Sequence, residues 1–263
     1  MPGTRHIFND AFNELAVDID FAHHRIAFSN PDNLVKPDGA IELPLSRVEG
    51  IPLVPFSIEG APPAQFELGI GNSGDLLVYQ SYYESHKLLE GRKTSKRLAA
   101  GTGGFIPETV ATLNRAEFAG LTFGSMPAAF IPSSQSGTKS DVIAGDLGLR
   151  VLARFRLILD YSHHRVYALP YADPTRAPFA KDRLGLSLDK ADTGFAVGFV
   201  APDSPAQAAG FKVGDKIALI NGKSAEAWPG TSFADLRYGP SGANLVFTMQ
   251  GGTVRQVKLA DYF

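Results

Sequence analysis

Cysteine is absent from this chain, tryptophan appears once and methionine three times. Without thiols there is no disulfide, no thiolate nucleophile and no thiolate metal ligand, which suits an exported protein as well as a cytosolic one. No apolar run approaches the roughly 18 residues that a membrane-crossing helix needs. The opening residues, Met1 to His6, lack the basic-then-apolar layout of a signal peptide. A large excess of one charge is missing too. The formal net charge is −2, so no basic field points to nucleic acid or to an anionic membrane.

What remains is a globular composition. Hydrophobic residues make up 44% of the 263 and charged residues 20%, enough for one large domain or two ordinary ones with proper cores. Between Gly39 and Leu169 the sequence runs as short strand-like stretches punctuated by Gly, Pro and Asn, among them 40–45, 51–58 and 65–70. Prolines inside them point to edge or bulged strands. Helical periodicity is confined to short stretches such as 82–89 and 149–155. The fold class implied is mainly β, with a barrel-like lobe in place of a βαβ array.

Two segments echo each other. Residues 12–28 carry Asp20 followed by His23, His24 and Arg25, and residues 152–168 carry Asp160 followed by His163, His164 and Arg165. Each reads as a short helix, a strand, a tight turn and a second strand. The chain is therefore expected to hold the tail of one truncated lobe (1–30) and then a complete second copy (31–170). Adjacent histidines at a strand end point to opposite sides, and no Cys or Glu-x-x-His partner accompanies them. A turn role is expected for both pairs, and no metal site.

Within the complete copy, residues 66–78 form a strand–turn–strand pattern that includes Gly69, Ile70 and Gly71. Ile143, Ala144 and Gly145 come later and lead into a helix; between the two lies a glycine-rich stretch with Gly103, Gly104 and Phe105. In this order the motifs resemble those of bacterial retropepsin-like aspartic proteases: an Asp-Thr/Ser-Gly turn, a glycine-rich flap and a hydrophobic-hydrophobic-Gly segment lining the cleft. The resemblance implies an acid-protease lobe that grips extended polypeptide, homodimer formation through that lobe, and an exported or periplasmic location. Such enzymes activate water with two carboxylates that share a proton, one from each lobe or subunit.

Here Gly69 stands in the carboxylate's place and Ile70 in that of the bracing hydroxyl residue; Gly71 alone keeps the pattern. Glycine supplies neither a proton nor a hydrogen bond, so the lobe is expected to be catalytically impaired. A register shifted by three residues puts Asn72, Ser73 and Gly74 in the motif and still lacks the acid. Asp75, the nearest one, is expected at a loop edge or in solvent. An active endopeptidase would need its carboxylate from a missing lobe or a partner subunit.

A rival reading takes Ser73 as the nucleophile of a serine protease, with the loop amides as oxyanion hole. The histidine base should then lie on a long upstream barrel, yet only His6, His23 and His24 precede Ser73. The glycines 101–104 lack the Lys-Ser/Thr ending of a phosphate loop, and 132–139 is a polar loop. No cofactor is implied.

After a proline-punctuated linker (171–180) the pattern changes. Ser204 and Pro205 start a short helix that Gly210 ends, Gly214 and Asp215 turn into a strand, and Asn221-Gly222 closes it. This run closely resembles PDZ domains of the bacterial protease-associated kind and assigns one to 181–263. PDZ domains bind peptide by adding it as a strand to a sheet edge and capturing its C-terminal carboxylate on loop amides. The matching loop and strand are Leu184, Gly185, Leu186, Ser187 and Leu188. Phe233 and Leu236 are expected to wall the groove, with core packing as the alternative for both. Arg183 is read as a solvated turn residue, with a carboxylate-binding role as the alternative, and the expected partner is a polypeptide or a protein C-terminus.

Overall fold

The structure is a computed structural model that describes residues 12–101, 104–136, 138 and 140–263. Its strands are β1 (Ala16–Asp20), β2 (Arg25–Ser29), β3 (Ile41–Pro44), β4 (Ser46–Val48), β5 (Ile51–Ile58), β6 (Ala64–Leu68), β7 (Leu76–Tyr79), β8 (Thr94–Gly101), β9 (Gly104–Leu113) and β10 (Ala116–Phe118). They continue as β11 (Leu121–Phe123), β12 (Met126–Ile131), β13 (Ile143–Leu147), β14 (Phe155–Asp160), β15 (Arg165–Pro170), β16 (Leu186–Ala191), β17 (Gly194–Val200), β18 (Lys216–Ile220), β19 (Asn244–Met249) and β20 (Val254–Lys258). Helices are short: α1 (Gln80–Ser85), α2 (Leu149–Leu152) and α3 (Pro205–Ala208). The fold is mainly β, as the strand-and-turn pattern requires.

Contacts divide the chain into two compact units, 1–87 with 113–179, and 88–112 with 180–263. The hairpin β8–β9, expected as a flap within the lobe 31–170, groups with the C-terminal unit. Its Gly103 lies outside the described residues. Residues 171–179, within the expected linker, group with the first unit: Arg154 Nη1 donates to the carbonyls of Pro174 (2.6 Å) and Ala177 (2.8 Å). The same guanidinium sits 3.9 Å from the centre of the Phe179 ring.

In the first unit one sheet runs β11-β10-β5-β6-β13-β7-β12, with β4 also paired to β5. Alternate side chains of β5 and β6 meet in an aromatic core, where Phe66 packs edge-on against both Phe56 and Tyr82. β5 is interior despite Pro52 and Pro55. Its partners change along its length, β4 covering 51–53 and β10 covering 57–58, so Pro55 has no strand partner on that side.

The second sheet of this unit runs β2-β1-β14-β15-β3 and joins the two echoing segments, Val17 lying opposite Leu159 and Ile19 opposite Leu157. Their turns are alike in detail. His24 and His164 both take positive φ, 51° and 55°. The ring Nδ1 of His23 lies 2.9 Å from Asp20 Oδ2, and that of His163 lies 3.0 Å from Asp160 Oδ1. Each turn therefore folds back onto the aspartate that begins it, and the histidines serve the turn. The last partner differs: Tyr171 OH donates to Asp20 at 2.8 Å, and Arg165 Nε to Asp160 at 2.8 Å. Tyr171 foremost holds the Asp20 carboxyl down at about 2. At Asp160 burial works upward, but Arg165 and His163 outweigh it and the carboxyl ends below its usual range.

The second unit contains the sheet β16-β17-β18-β19-β20 and the hairpin β8–β9. Phe195, Phe211, Ile217, Ile220, Phe233 and Phe247 fill its core. Ser204 caps α3 by accepting from the Gln207 amide, with Pro205 in the first turn.

Replacing Asp160, which is fully buried, by Ala leaves Arg165 and the turn amide without their acceptor. Asp160→Ala is expected to lower stability by about 2–3 kcal/mol in urea unfolding.

Candidate functional site

The first unit's candidate site is set by where β13 lies. It inserts between β6 and β7, parallel to the first and antiparallel to the second, so Asp146 lies beside Glu67 on one side and Leu77 on the other. The fit requires glycine at 145: a Cβ there would come within 2.1 Å of the Leu77 carbonyl oxygen. Gly148, the N-cap of α2, is equally constrained, since its Cβ would meet the Gly74 carbonyl oxygen at 2.3 Å. The turn between β6 and β7 is stitched to the start of α2. The amides of Gly148, Leu149 and Arg150 donate to the carbonyls of Asp75 (2.9 Å), Asn72 (2.7 Å) and Gly74 (3.1 Å). Asn72 Oδ1 accepts from Gly74 N–H at 2.8 Å and shapes the turn itself.

Ile143, Ala144 and Gly145, the expected cleft segment, lie on β13, with Ile143 and Ala144 buried, and Gly148 three residues further on caps the helix. Asp146, the residue after Gly145, points at position 69. A Cβ on Gly69 would lie 1.7 Å from Asp146 Oδ1 and 2.7 Å from its Cγ. The Asp146 carboxylate occupies the volume that a side chain at 69 would fill.

Its surroundings disfavour charge. Burial, reinforced by the neighbouring Glu67 carboxylate, pushes Asp146 up to about 7, with the Asn72 amide pulling the other way. Asp146 Oδ1 and Asn72 Nδ2 are both buried, and neither completes a hydrogen bond. Glu67 is raised as well, chiefly by burial, although Tyr79 OH donates to it at 2.7 Å. Tyr79 also lines a groove of about 350 Å³ rich in hydroxyls, among them Ser81, Ser133, Ser136 and Ser140, with Asp141 at its rim. A buried carboxyl lifted to about 7 beside a second carboxylate is a chemistry suited to general acid–base work near neutral pH.

Other sequence expectations change here. Asp75 is buried, with Arg150 Nη1 3.6 Å from its carboxylate, and has no solvent role. Ser73 is exposed, and no described hydrogen bond joins it to a histidine. Ile70 and Gly71 lie in the turn just after β6; Gly71 has open space around its Cβ position. Gly104 and Phe105 begin β9 beyond the hairpin tip.

In the second unit the expected groove is partly core. Leu184, Leu186 and Phe233 are buried, and Phe233 packs on Phe195 with ring centres 4.9 Å apart. They hold the loop and the helical turn Ser232–Tyr238 in place through core packing, the alternative expected for Phe233. Leu188 and Leu236 are half-buried against the same core, and Ser187 is half-buried on β16. Among the described residues β16 pairs only with β17, leaving its outer edge available. Arg183 is anchored: its Nε donates to Asp261 at 2.7 Å and its Nη1 to the Gly239 carbonyl at 3.2 Å.

Comparison with known proteins places a PDZ domain at residues 176–249. No curated protein matches the chain significantly. Among solved structures, the chain is similar to a retropepsin-like aspartic protease from Rickettsia conorii. The match has 17% identity and a TM-score of 0.34, covering 49% of this chain and 89% of that one.

A carboxyl that binds its proton more tightly in the folded state stabilises the fold most at low pH, and its contribution falls as pH rises from about 4 to about 7. Asp146→Asn, which cannot ionise, is expected to flatten the decline in urea midpoint between pH 4.5 and 7. A parallel pair of pH–stability curves for the two proteins would show that Asp146 carries no such shift.

Proposed function

We propose that this protein holds extended polypeptide through a protease-like lobe (31–170) and a PDZ domain (181–263), and that the lobe does not cleave by way of position 69. What carries the binding half of this reading is β16, which among the described residues pairs on one side only and is exposed at Asp189–Ala191, in a segment that matches the PDZ model. An incoming chain would add there as a further strand, its backbone supplying affinity and its alternate side chains specificity. The missing side chain at Gly69 supports the second half: a protease lobe with no acid at this point cannot contribute its share of a carboxylate pair. Pairing of two copies through the lobe would complete the cleft around a bound segment.

One observation favours a second reading. Asp146 fills the space left by Gly69 and holds its proton near neutral pH. The acid of an aspartic endopeptidase could therefore have moved to the neighbouring strand, with a second copy or an upstream lobe supplying the other carboxylate.

Incubation of the full chain with an unfolded protein between pH 4 and 7 separates the two. The binding reading expects stable association, read by fluorescence anisotropy, and no fragments. The endopeptidase reading expects fragments whose formation falls at least 100-fold in Asp146→Asn. Absence of any association in the wild type would remove the first reading, and cleavage undiminished in Asp146→Asn the second.

A further inference from the structure

The loop with which a PDZ domain catches a peptide's terminal carboxylate is here Leu184, Gly185 and Leu186, leading into β16. Two of its amides are already engaged within the chain. The N–H groups of Leu184 and Gly185 both donate to Asp182 Oδ1, at 2.9 and 2.8 Å. Its carbonyls are engaged too, Ala206 N–H donating to Leu184 O at 3.0 Å and Ala201 N–H to Gly185 O at 2.8 Å. Gly185 takes a φ of +71°, and a Cβ on it would strike Ser204 Cβ at 2.2 Å, so the loop is pinned against the cap of α3. A side-chain carboxylate of the protein therefore sits where a ligand's terminal carboxylate would bind.

The hairpin β8–β9 closes the same end from outside. Ser95 Oγ donates to the Pro202 carbonyl at 2.6 Å, and Arg97 is held by the buried Glu108 at 2.6 Å. Between Lys96, Arg97 and Leu98 on one side and Gly185, Leu186 and Ser187 on the other, the remaining cavity is about 10 Å³. That is space for one water at most. Beyond Ser187 the strand is open: Asp189, Lys190 and Ala191 are exposed.

We infer that this groove takes an internal stretch of extended chain, with no terminal carboxylate, and that Asp182 is the residue that excludes C-termini. The inference rests on the peptide-binding reading above and specifies its ligand. A C-terminal carboxylate would have to displace Asp182 from both amides and then lie beside its charge. A segment that pairs with the open part of the edge, from Leu188 to Ala191, and leaves the strand before the closed end meets neither obstacle, since it needs only backbone groups there.

The test uses two pools of fluorescein-labelled nonapeptides of mixed sequence, alike except that one ends in a free carboxylate and the other in an amide. Both are titrated against the full chain by anisotropy. The wild type is expected to bind the two pools within about threefold of each other. Asp182→Ala, by freeing two amides and removing a charge, is expected to favour the free-acid pool about tenfold. Should Asp182→Ala fail to fold, Asp182→Asn keeps an acceptor oxygen, removes the charge and is expected to shift the ratio at least threefold the same way. A wild type that prefers the free-acid pool tenfold or more overturns the inference while leaving peptide binding intact, as does a ratio that no Asp182 variant moves. If neither pool binds to any of the proteins, the inference and the binding reading both fall.

Discussion

The insertion of β13 between β6 and β7 is the constraint on which the candidate site depends. A strand can sit there only if its backbone comes close to both neighbours, and that closeness excludes a side chain at 145, beside the Leu77 carbonyl, and at 148, beside the Gly74 carbonyl. Once seated, β13 hands its direction to α2, whose first amides are taken up by carbonyls of the turn that follows β6. The turn, the strand and the helix therefore form one interlocked unit. Moving any part of it costs several backbone hydrogen bonds, each worth about 1 kcal/mol net and more when a buried group is left unsatisfied. The chemistry of the site is confined to what can project from this rigid frame, and Glu67, Gly69 and Asp146 share the relevant face.

That confinement gives the pairing of Gly69 and Asp146 its meaning. The two positions compete for one volume: an aspartate at 69 and the present rotamer of Asp146 exclude each other, because Asp146 Oδ1 lies 1.7 Å from where the new Cβ would be. Glycine at 69 and an acid at 146 are thus a single steric fact. The electrostatics differ from those of two carboxyls facing each other across a cleft. Asp146 and Glu67 project from adjacent strands of one sheet, and burial leads the rise in both. A pair of this kind relieves its repulsion by keeping one proton. Asp146, with its buried oxygen lacking a hydrogen bond, is the member poised to hold it.

Much of the frame was legible in the sequence, and the failures have physical causes. The turns after Asp20 and Asp160 were readable because turn chemistry is local: an aspartate, a histidine three residues on and a positive φ recur together. The strand–turn–strand around Gly69 was readable for the same reason. The acid that follows Ile143, Ala144 and Gly145 was not singled out, because only the strand pairing of β13 brings Asp146 beside Gly69 and Glu67. The burial of Asp75 and the grouping of β8–β9 with the C-terminal unit are tertiary facts without local signatures. Asp182 did carry one, an acid two residues before a loop amide, the spacing of an Asx turn.

On the inference above, an internal acid, Asp182, sets what the PDZ groove would recognise. A charge-assisted hydrogen bond contributes about 1.5–3 kcal/mol, so a terminal carboxylate entering the loop gains nothing by replacing Asp182 on the amides of Leu184 and Gly185. It also meets a like charge, with a repulsion of about 4 kcal/mol at 4 Å under surface-like screening. Binding along the edge of β16 carries no such opposition. A domain built in this way gives up the strongest anchor of a terminal ligand and depends on strand addition and side-chain fit over several residues. That dependence suits a partner presenting an extended segment, the form of chain proposed above for the first lobe as well. Both halves of the molecule would then select for extended backbone and not for chain ends.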